Sequence, residues 1–466
     1  MASMSVDSRT KSIKSPRFHF IGIGGSGMSG LAEFALGRGC DVSGSDTASS
    51  DSLIRLASLG AKIFDHHSSE NLQGSDQVIF SSAIKPDNEE LVAAHSMKIP
   101  TLHRSDLLAN FMRGTNSVTV AGTHGKTTTA ALITHVLTTC GADPCAVIGG
   151  VMLDTQSSAR IGDGRFFVAE ADESDGTFLN YEPVLCALTN IDRDHLDFYG
   201  TFDNIKASFH KYLMTSDPDI GVVCCWDDPA IREVSEGIGR PRLTYGTILG
   251  CEVRGVDLQQ SGMETTFTAI VERDRIRCKL PLMGKHNVLN ALCSLAVARA
   301  LGLNVTQAAE GLATFRGVGR RMELLADLPG IRVFDDFAHN PGKIQACISA
   351  VRTAWPTQQI TVVHQPHRFS RIETMYDAMV ASFRGADDVI LLPVYAAGET
   401  PRREHDYEAF ATDLALASAT KTHISLEKAS ACQLALQLSR HPAIILSVGA
   451  GDIWKVGHML REQLLG

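Results

Sequence analysis

The chain has 466 residues, which is too many for one compact core and predicts about three domains. A hydrophobic fraction of 44% with 20% charged residues is ordinary for a globular protein, and a net charge of −9 argues against nonspecific binding to nucleic acid or anionic membranes. No apolar run is long enough to span a bilayer, and the eleven cysteines lack metal-binding spacing, so a cytoplasmic enzyme with reduced thiols is expected.

The first predicted block covers residues 17–113 and follows a leader, residues 1–16, that we expect to be disordered. Its opening strand, Phe18–Ile21, leads into a glycine-rich turn and an apolar helix at Met28–Leu36. Another strand is predicted at Gln77–Phe80. Strands that alternate with helices at this spacing predict a parallel, doubly wound sheet.

The turn after the first strand has the pattern G-x-G-x-x-G, formed by Gly22, Gly24 and Gly27, with Asp46 about twenty residues further on. This pattern favours a diphosphate at the helix N-terminus and a carboxylate near a ribose or base. NAD is the usual ligand of such a turn and a nucleotide sugar the less usual one, and a purely structural turn is a third alternative.

The second predicted block, residues 114–318, opens with the strand Ser117–Ala121, the loop Gly122–Thr128 and an apolar helix. In such a loop the backbone N–H groups hold phosphate oxygens, Lys126 reaches the terminal phosphates and Thr127 can bind Mg²⁺. The loop is shorter than G-x-x-x-x-G-K-[ST], and an ordinary glycine-rich turn is the alternative. The sequence therefore predicts a site for ATP or a close relative, and the first block should bind a different ligand.

Carboxylates follow the next strands of this block. Glu170 ends the apolar strand Phe166–Ala169 beside the loop strand, where Mg²⁺ is usually bound, although a solvated acidic loop is the alternative. His195 follows the strand Leu185–Leu188 and is either a second metal ligand or a structural histidine. A hairpin-like stretch and a helix with histidine and asparagine residues complete the block.

The third predicted block, residues 319–466, has polar clusters after its strands. Because ligands gather beyond the carboxyl ends of strands in an open α/β sheet, these clusters predict a further site. Arg368 and Arg371 could clamp a carboxylate, or they could be surface arginines. The strands are predicted at Val333–Phe334, Ile360–His364, Val389–Leu392 and Ile444–Val448.

The ordered set of motifs resembles the Mur ligase family over nearly the whole chain. The resemblance implies a three-domain α/β fold with a Rossmann-like domain for a UDP-sugar, a central P-loop ATPase with a mostly parallel sheet and a C-terminal Rossmann-like domain for an amino acid. The motifs that carry it are Gly22–Gly30, Gly122–Thr128, Glu170–Asp175, Asp194–Asp197, Gly284–Asn287 with Asn290, Gly319–Arg321 and Gln365–Arg368.

Site residues are also implied by the resemblance. The ATP-binding residues would be Gly122, Thr123, His124, Gly125, Lys126, Thr127, Thr128, His286, Asn287, Asn290, Arg321 and Asp336. The UDP-sugar-binding residues would be Gly22, Gly24, Gly25, Ser26, Gly27, Met28, Asp46, Ser82, Arg104, Asp175 and Thr177. The amino-acid-binding residues would be Phe337, His339, His367, Arg368 and Arg371. The metal ligands would be Thr127, Glu170 and His195, and the catalytic residues Lys126, Glu170, His195, His339, Arg368 and Arg371.

The implied activity is an ATP-dependent amide ligase that joins L-alanine to the lactyl carboxylate of UDP-N-acetylmuramate for peptidoglycan synthesis. ATP and two Mg²⁺ ions would take part, and the protein would be a monomer or a weak homodimer. An oxidoreductase with an appended ATP domain and an inactive nucleotide sensor are rival classes. No hydride-transfer cluster is found near the first turn, and the residues that an inactive sensor would have lost are present.

The third block departs from the alanine-adding pattern. Residues 335–341 read Asp-Asp-Phe-Ala-His-Asn-Pro where Asp-Asp-Tyr-Gly-His-His-Pro is usual, and Gly176-Thr177 stands where Ala-Ser is usual. Phe337 lacks the tyrosine hydroxyl and Asn340 replaces a histidine. The segment is similar to the ligase that recycles murein peptides, whereas the arginine pair is of the alanine type. L-Ala-γ-D-Glu-meso-diaminopimelate, glycine or serine are therefore alternative acceptors.

Overall fold

The computed structural model describes residues 15–48, 50–400 and 406–466, with the side chains of Ser26 and Asp197 left out. Most of the predicted leader lies outside the described residues. Three sheets follow one another along the chain and most of their strands are parallel, which confirms the predicted α/β fold class. The proposed domain boundaries stay predictions, and each sheet's strands fall within one of the predicted blocks.

The first sheet is wholly parallel and has the strand order β3-β2-β1-β4-β5. Two of its strands were missed from sequence because each has only three residues and no buried position. Its strands are β1 (Arg17–Ile21), β2 (Asp41–Ser45), β3 (Lys62–Phe64), β4 (Gln77–Phe80) and β5 (Thr101–His103). Its helices are α1 (Ser26–Gly37), α2 (Asp51–Ser58), α3 (Glu89–Ser96) and α4 (Arg104–Met112).

The second sheet has ten strands in the order β15-β14-β13-β12-β11-β10-β6-β9-β7-β8, with antiparallel hairpins at its edges. Its strands are β6 (Asn116–Ala121), β7 (Cys145–Met152), β8 (Ser157–Arg160), β9 (Phe166–Glu170), β10 (Leu185–Leu188), β11 (Val222–Cys225), β12 (Arg242–Gly246), β13 (Val253–Ser261), β14 (Glu264–Val271) and β15 (Asp274–Leu280). Its helices are α5 (Lys126–Thr139), α6 (Leu196–Tyr199), α7 (Phe202–Leu213), α8 (Pro229–Val234), α9 (Lys285–Ala300) and α10 (Val305–Gly311). Within the described ranges, no helix combines the length and the apolar character needed to cross a bilayer.

The third sheet has the order β16-β17-β21-β18-β19-β20, with only β16 antiparallel to its neighbour. Its strands are β16 (Glu323–Leu328), β17 (Ile331–Asp336), β18 (Gln359–His364), β19 (Asp388–Leu391), β20 (Lys421–Ile424) and β21 (Ala443–Val448). Its helices are α11 (Pro341–Ala354), α12 (Phe369–Thr374), α13 (Tyr376–Ala381), α14 (Tyr407–Ser418), α15 (Lys428–Leu438) and α16 (Trp454–Leu465).

The two junctions between the sheets differ in character. One continuous apolar cluster joins the first two sheets, and within it the rings of Phe34 on α1 and Phe167 on β9 lie 5.1 Å apart. The third sheet has separate apolar clusters. Its contacts with the second sheet include polar bonds such as that from Asn340 to Asp194. One of these clusters also includes Met283 of the second block, so the junction is partly apolar. Because it lacks a continuous shared core, we expect the third unit to be the one that moves.

Candidate active site

The loop between β6 and α5 is shaped to hold an anion. Gly125 precedes α5 with φ of 83°, and no side chain caps the first N–H groups of the helix. A Cβ atom at Gly125 would lie 2.8 Å from Oδ1 of Asn290, so the close approach of α9 also requires glycine. The free N–H groups and the helix dipole can therefore hold an anion, and phosphate binding by this loop stays a prediction.

The loop is fixed by polar residues that follow β10. The backbone N–H of His124 donates to Oδ1 of Asn190 at 2.8 Å, and Nδ2 of Asn190 donates back to the carbonyl of His124 at 2.8 Å. Asp192 donates its backbone N–H to the Thr123 hydroxyl at 2.9 Å and places its carboxylate 3.1 Å from Nε2 of His124. The sequence analysis assigned no role to Asn190 and Asp192. Their position in a polar run directly after a buried strand could have indicated that they belong to the site.

Glu173 holds the side chain of Lys126 beside the loop between β6 and α5. Its ammonium donates to the two carboxylate oxygens of Glu173 at 2.8 and 3.1 Å and to the carbonyl of Gly122 at 2.7 Å. Burial by itself lowers the pKa of Lys126, but the carboxylates of Glu173 and Asp172 outweigh it and raise that pKa. The side chain is therefore charged and already points toward the loop, and Glu173 is a positioning residue that the sequence had not singled out.

Glu170 fits a Mg²⁺ site next to Thr127. Its Oε1 accepts the backbone N–H of Gly149 at 2.7 Å, and burial raises the pKa of the carboxyl group despite the nearby Lys126 and Arg321. A half-buried carboxylate beside a hydroxyl and an anion-binding loop is a donor set that Mg²⁺ prefers, and phosphate oxygens and waters would complete the shell. Among the described residues, no three His, Cys, Asp or Glu side chains form a metal cluster by themselves.

Replacing Glu170 by glutamine is expected to weaken Mg²⁺ binding by at least about tenfold, because a neutral amide oxygen is a poorer ligand than a carboxylate. The measurement is the Mg²⁺ concentration that gives half-maximal phosphate release. Glu182→Gln changes an exposed carboxylate and serves as the matched control. An unchanged Mg²⁺ requirement in Glu170→Gln would contradict this role.

His195 lies at the start of the short helix α6, with φ of 54°. Its backbone N–H donates to Oδ1 of Asp194 at 3.0 Å. Burial raises the pKa of Asp194, yet the neighbouring His195 and Lys343 outweigh burial and lower it to about 2. The second-metal role of His195 stays a prediction.

The residues predicted to line the nucleotide gather around α5 and α9. Thr129 donates to Oδ1 of Asn290 at 3.0 Å, and Nδ2 of Asn290 donates to Oδ1 of Asn287 at 3.1 Å, whereas His286 is exposed. Arg321 reaches across from the third unit and donates to the Thr127 hydroxyl at 3.2 Å.

Asp336, at the end of β17, fixes the polypeptide around Arg321. Its carboxylate accepts the backbone N–H groups of Met322 at 2.8 Å and Ala338 at 2.7 Å. Phe337 lies under the Arg321 guanidinium, 5.2 Å from the ring centre. These contacts position the arginine that meets the phosphate loop, and a direct nucleotide contact by Asp336 stays a prediction.

The predicted UDP-sugar residues also lie together, at the carboxyl edge of the first sheet. The backbone N–H of Gly24 donates to Asp46 at 2.9 Å, and a Cβ atom at Gly27 would lie 2.9 Å from the Arg104 guanidinium. Arg104 in turn donates to Asp172 of the second unit at 3.3 Å. Met28 is only 3% exposed. Its side chain therefore packs in the apolar core and does not line the surface of the glycine-rich turn.

Ser82 of the first unit and Asp175 of the second unit contact each other at the edge of the same predicted site. Ser82 donates to Asp175 at 2.5 Å, and the Thr177 hydroxyl donates to the same carboxylate at 2.6 Å. Burial raises the pKa of Asp175, but these hydroxyl bonds outweigh it and lower that pKa. His103, which the sequence had not suggested, lies 3.1 Å from the Ser82 hydroxyl through Nε2.

The predicted amino-acid residues form a cluster of rings and cations after β17 and β18. The His339 ring lies 5.4 Å from Phe337 and 5.9 Å from His367. Arg371 approaches Nδ1 of His367 at 3.1 Å, whereas Arg368 is exposed, so the predicted two-arginine clamp stays a prediction. Burial lowers the pKa of His367 to about 4 and also lowers the pKa of His339, so both rings are neutral at pH 7.

Tyr395 was not predicted, yet it stacks on His367 with ring centres 5.6 Å apart. It lies in the loop after β19, and its backbone carbonyl accepts the N–H of Arg368 at 2.9 Å. This loop therefore fixes both His367 and the start of the arginine segment. A lone tyrosine after a predicted strand offered no motif from which the contact could be inferred.

Asn340, the departure from the usual histidine, joins the third unit to the second. Its Oδ1 accepts the backbone N–H of Lys343 at 2.9 Å and thereby caps α11, while its Nδ2 donates to Asp194 at 3.3 Å. Asn340 therefore links the segment that carries the ring cluster to the segment after β10 that also fixes the phosphate loop.

Three family models match the chain in order. The Mur ligase family, catalytic domain, matches residues 17–116, the Mur ligase middle domain matches residues 120–298, and the Mur ligase, glutamate ligase domain, matches residues 320–451. Together they cover most of the chain and correspond to the three sheets.

Curated relatives and a solved structure agree with these models. The chain is 40% identical to the UDP-N-acetylmuramate–L-alanine ligase of Xylella fastidiosa strain 9a5c, with 96% of this chain and 95% of that protein covered. It is 39% identical to the ligase of the same name from Geobacter sulfurreducens, with 97% and 98% covered. The crystal structure of UDP-N-acetylmuramate-alanine ligase MurC from Thermotoga maritima is 29% identical, covers 96% of this chain and 99% of its own, and has a TM-score of 0.82. The chain belongs to the Mur ligase family.

Proposed function

We propose that the protein is an ATP-dependent ligase that joins L-alanine to the lactyl carboxylate of UDP-N-acetylmuramate, a step of peptidoglycan precursor synthesis. The observation that carries the proposal is the meeting of the phosphate loop with the ring cluster of the third unit, linked by the bond from Arg321 to Thr127. The relatives named above supply the substrates. The proposal includes a cytoplasmic location, two bound Mg²⁺ ions and a monomer or weak homodimer.

The first chemical step activates the carboxylate. An oxygen of the lactyl carboxylate attacks the γ-phosphorus of ATP, the bond to the β,γ-bridging oxygen breaks, and an acyl phosphate and ADP form. Bound Mg²⁺ would neutralise phosphate charge, with Glu170 and Thr127 as its protein ligands. Lys126 and the first N–H groups of α5 hold the phosphoryl oxygens as negative charge spreads over them.

The second step forms the amide. The amine of L-alanine attacks the acyl carbon, and the tetrahedral intermediate expels phosphate as the nitrogen loses a proton. The leaving phosphate can accept that proton. Burial lowers the pKa of His367 to about 4 and also lowers the pKa of His339, so these rings are weak bases that can accept a hydrogen bond from the amine. Arg371 lies beside them and is placed to bind the carboxylate of the amino acid.

The acceptor is tested by measuring phosphate release with ATP, Mg²⁺ and UDP-N-acetylmuramate across L-alanine, glycine, L-serine and L-Ala-γ-D-Glu-meso-diaminopimelate. We expect L-alanine to give the highest kcat/KM, because the relatives described above are L-alanine ligases by name and Arg371 is placed beside His367 to supply one carboxylate contact. Activity with the tripeptide alone would reassign the protein to murein-peptide recycling. That alternative is tested because Phe337 and Ala338 match the pattern of the recycling ligase. Phosphate release with none of these acceptors would contradict the ligase activity.

A further inference from the structure

A cavity of about 470 Å³ lies in the third unit, and none of the predicted site residues lines it. It is found beyond the carboxyl ends of β18, β19 and β20, whereas the ring cluster follows β17 and β18. Because the strand order is β17-β21-β18-β19-β20, the cavity and the ring cluster are neighbours along one edge of the sheet. Ligands of open α/β sheets gather at this edge, so the cavity continues the predicted amino-acid site.

Tyr395 belongs to both the cavity and the ring cluster. It lines the cavity, and its ring stacks on His367 with the ring planes 10° apart and the centres at 5.6 Å. A Cβ atom at Gly451 would lie 2.6 Å from Cγ of Tyr395 and 2.7 Å from Oε1 of Gln365, which also lines the cavity. The phenol ring therefore stands between His367 and the cavity.

The backbone holds Tyr395 in this place independently of its ring. The backbone N–H of Tyr395 donates to the carbonyl of Pro366 at 2.8 Å, and its carbonyl accepts the N–H of Arg368 at 2.9 Å. An isolated parallel bridge joins His367 and Tyr395. A smaller side chain at position 395 keeps all of these bonds, so its main effect is to remove the ring.

The cavity has a hydrogen-bond acceptor that lacks a donor. Gln365 is 6% exposed, and its Oε1 atom has no hydrogen-bond partner among the described residues. A buried carbonyl oxygen of this kind costs free energy until a donor reaches it. The N–H groups of a peptide are such donors.

The charged groups at the cavity give no excess of either sign. The carboxylate of Asp452 accepts from Lys428 at 2.9 Å and lies 3.6 Å from the ammonium of Lys455, and Glu427 is an exposed carboxylate on the rim. Two acidic groups thus accompany two basic groups. Shape and the Gln365 oxygen, rather than net charge, decide which ligand fits the cavity.

We propose that Tyr395 is a specificity-determining residue whose ring closes this cavity to the acceptor and so restricts the enzyme to a single small amino acid. This inference rests on the proposed ligase function and explains how the acceptor is kept short. With the ring in place, the site ends at the stacked pair of His367 and Tyr395. Without the ring, an acceptor extended from the L-alanine carboxyl group by amide bonds would enter the cavity and donate to Gln365.

The test compares Tyr395→Ala and Tyr395→Phe with the unmodified enzyme. Phosphate release gives kcat/KM for L-alanine and for L-Ala-γ-D-Glu-meso-diaminopimelate, and mass spectrometry of the product verifies that the acceptor was joined. We expect the ratio of tripeptide to L-alanine kcat/KM to rise at least about tenfold in Tyr395→Ala, because the longer acceptor no longer meets the ring. Tyr395→Phe keeps the ring and should keep the ratio of the unmodified enzyme.

Leu426→Ala is the matched control. Leu426 lines the same cavity but follows β20, away from His367, and is 73% exposed. Its truncation enlarges the cavity and leaves the partition in place, so the acceptor ratio should not change. Melting temperatures show that each variant is folded, and Tyr395→Leu, which also removes the ring, replaces the alanine variant if that protein does not fold.

An unchanged ratio in the folded ring-deleted variant would overturn the proposal, as would an equal rise in Tyr395→Phe or in Leu426→Ala. Loss of activity with both acceptors in that folded variant would also overturn it, since Tyr395 would then act through catalysis and not through selection. If the unmodified protein uses the tripeptide alone, the partition is wrong while the ligase activity stands. If it releases no phosphate with any acceptor, the proposed function itself fails.

Discussion

Lys126→Ala is expected to lower ATP-dependent phosphate release by at least about 10³-fold, because it removes the loop cation that meets the terminal phosphates. The lysine ammonium already lies 2.7 Å from the carbonyl of Gly122, so it is in place before the substrate arrives. The measurement is the steady-state rate of phosphate release at saturating ATP, UDP-N-acetylmuramate and L-alanine.

The change also leaves the buried carboxylate of Glu173 without its partner, which can destabilise the fold. The double variant Lys126→Met with Glu173→Gln removes both charges and separates the two effects. If the double variant is inactive but keeps the melting temperature of the unmodified protein, the loss of phosphate release is due to catalysis and not to unfolding. More than about a tenth of the wild-type rate in a folded Lys126→Ala protein would contradict the role of this lysine in phosphoryl transfer.

Glu90→Gln is expected to destabilise the first unit by about 3 kcal/mol, because it breaks a buried polar network around a side chain that is 0% exposed. The Glu90 carboxylate accepts hydrogen bonds from Ser45 at 2.5 Å and from Asn71 at 2.7 Å. His67 and His19 place ring nitrogens 3.1 and 3.3 Å from it. A glutamine amide would set its own N–H groups against these donors. The readout is the urea midpoint of the first unfolding transition.

The same network predicts how stability changes with pH. Burial by itself raises the pKa of Glu90, but the hydrogen bonds from His19, Ser45 and Asn71 outweigh burial and lower it from 4.5 to about 2. The folded-state pKa lies below that of the unfolded chain. The stabilisation is therefore complete above pH 4.5 and is lost as the pH falls toward 2.

The adjacent Glu89 is exposed and supplies a matched control. Glu89→Gln should change stability by no more than about 0.5 kcal/mol and should keep the pH dependence of the unmodified protein. Glu90→Gln should have a flatter stability profile between pH 4.5 and 2, since its network no longer titrates. Equal midpoints for the two variants would contradict the importance of this network.

The different junctions of the three units suggest how the two chemical steps are coordinated. The residues predicted to bind the UDP-sugar lie on the first two units, which share an apolar core, so we expect little relative movement between those units. The ring cluster and Arg321 belong to the third unit, which meets the phosphate loop through polar contacts. Movement of that unit would admit the amino acid and exclude water from the acyl phosphate.

The sequence by itself determined the α/β class, the strand, glycine-rich loop and helix around Gly122–Thr128, and several of the strands that precede the predicted site residues. Periodic apolar runs such as Ser117–Ala121 and local glycine geometry such as that at Gly125 are properties of neighbouring residues, so they can be predicted from a linear chain. The short strands Lys62–Phe64 and Thr101–His103 could not be predicted, because pairing with longer neighbours rather than local pattern forms them.

Only the tertiary structure decided which charges meet. Glu173 lies 47 residues from its partner Lys126, and Asn340 lies 146 residues from Asp194. Neither spacing carries a signal, because side-chain pairing across a cleft depends on how the sheets pack and not on sequence separation.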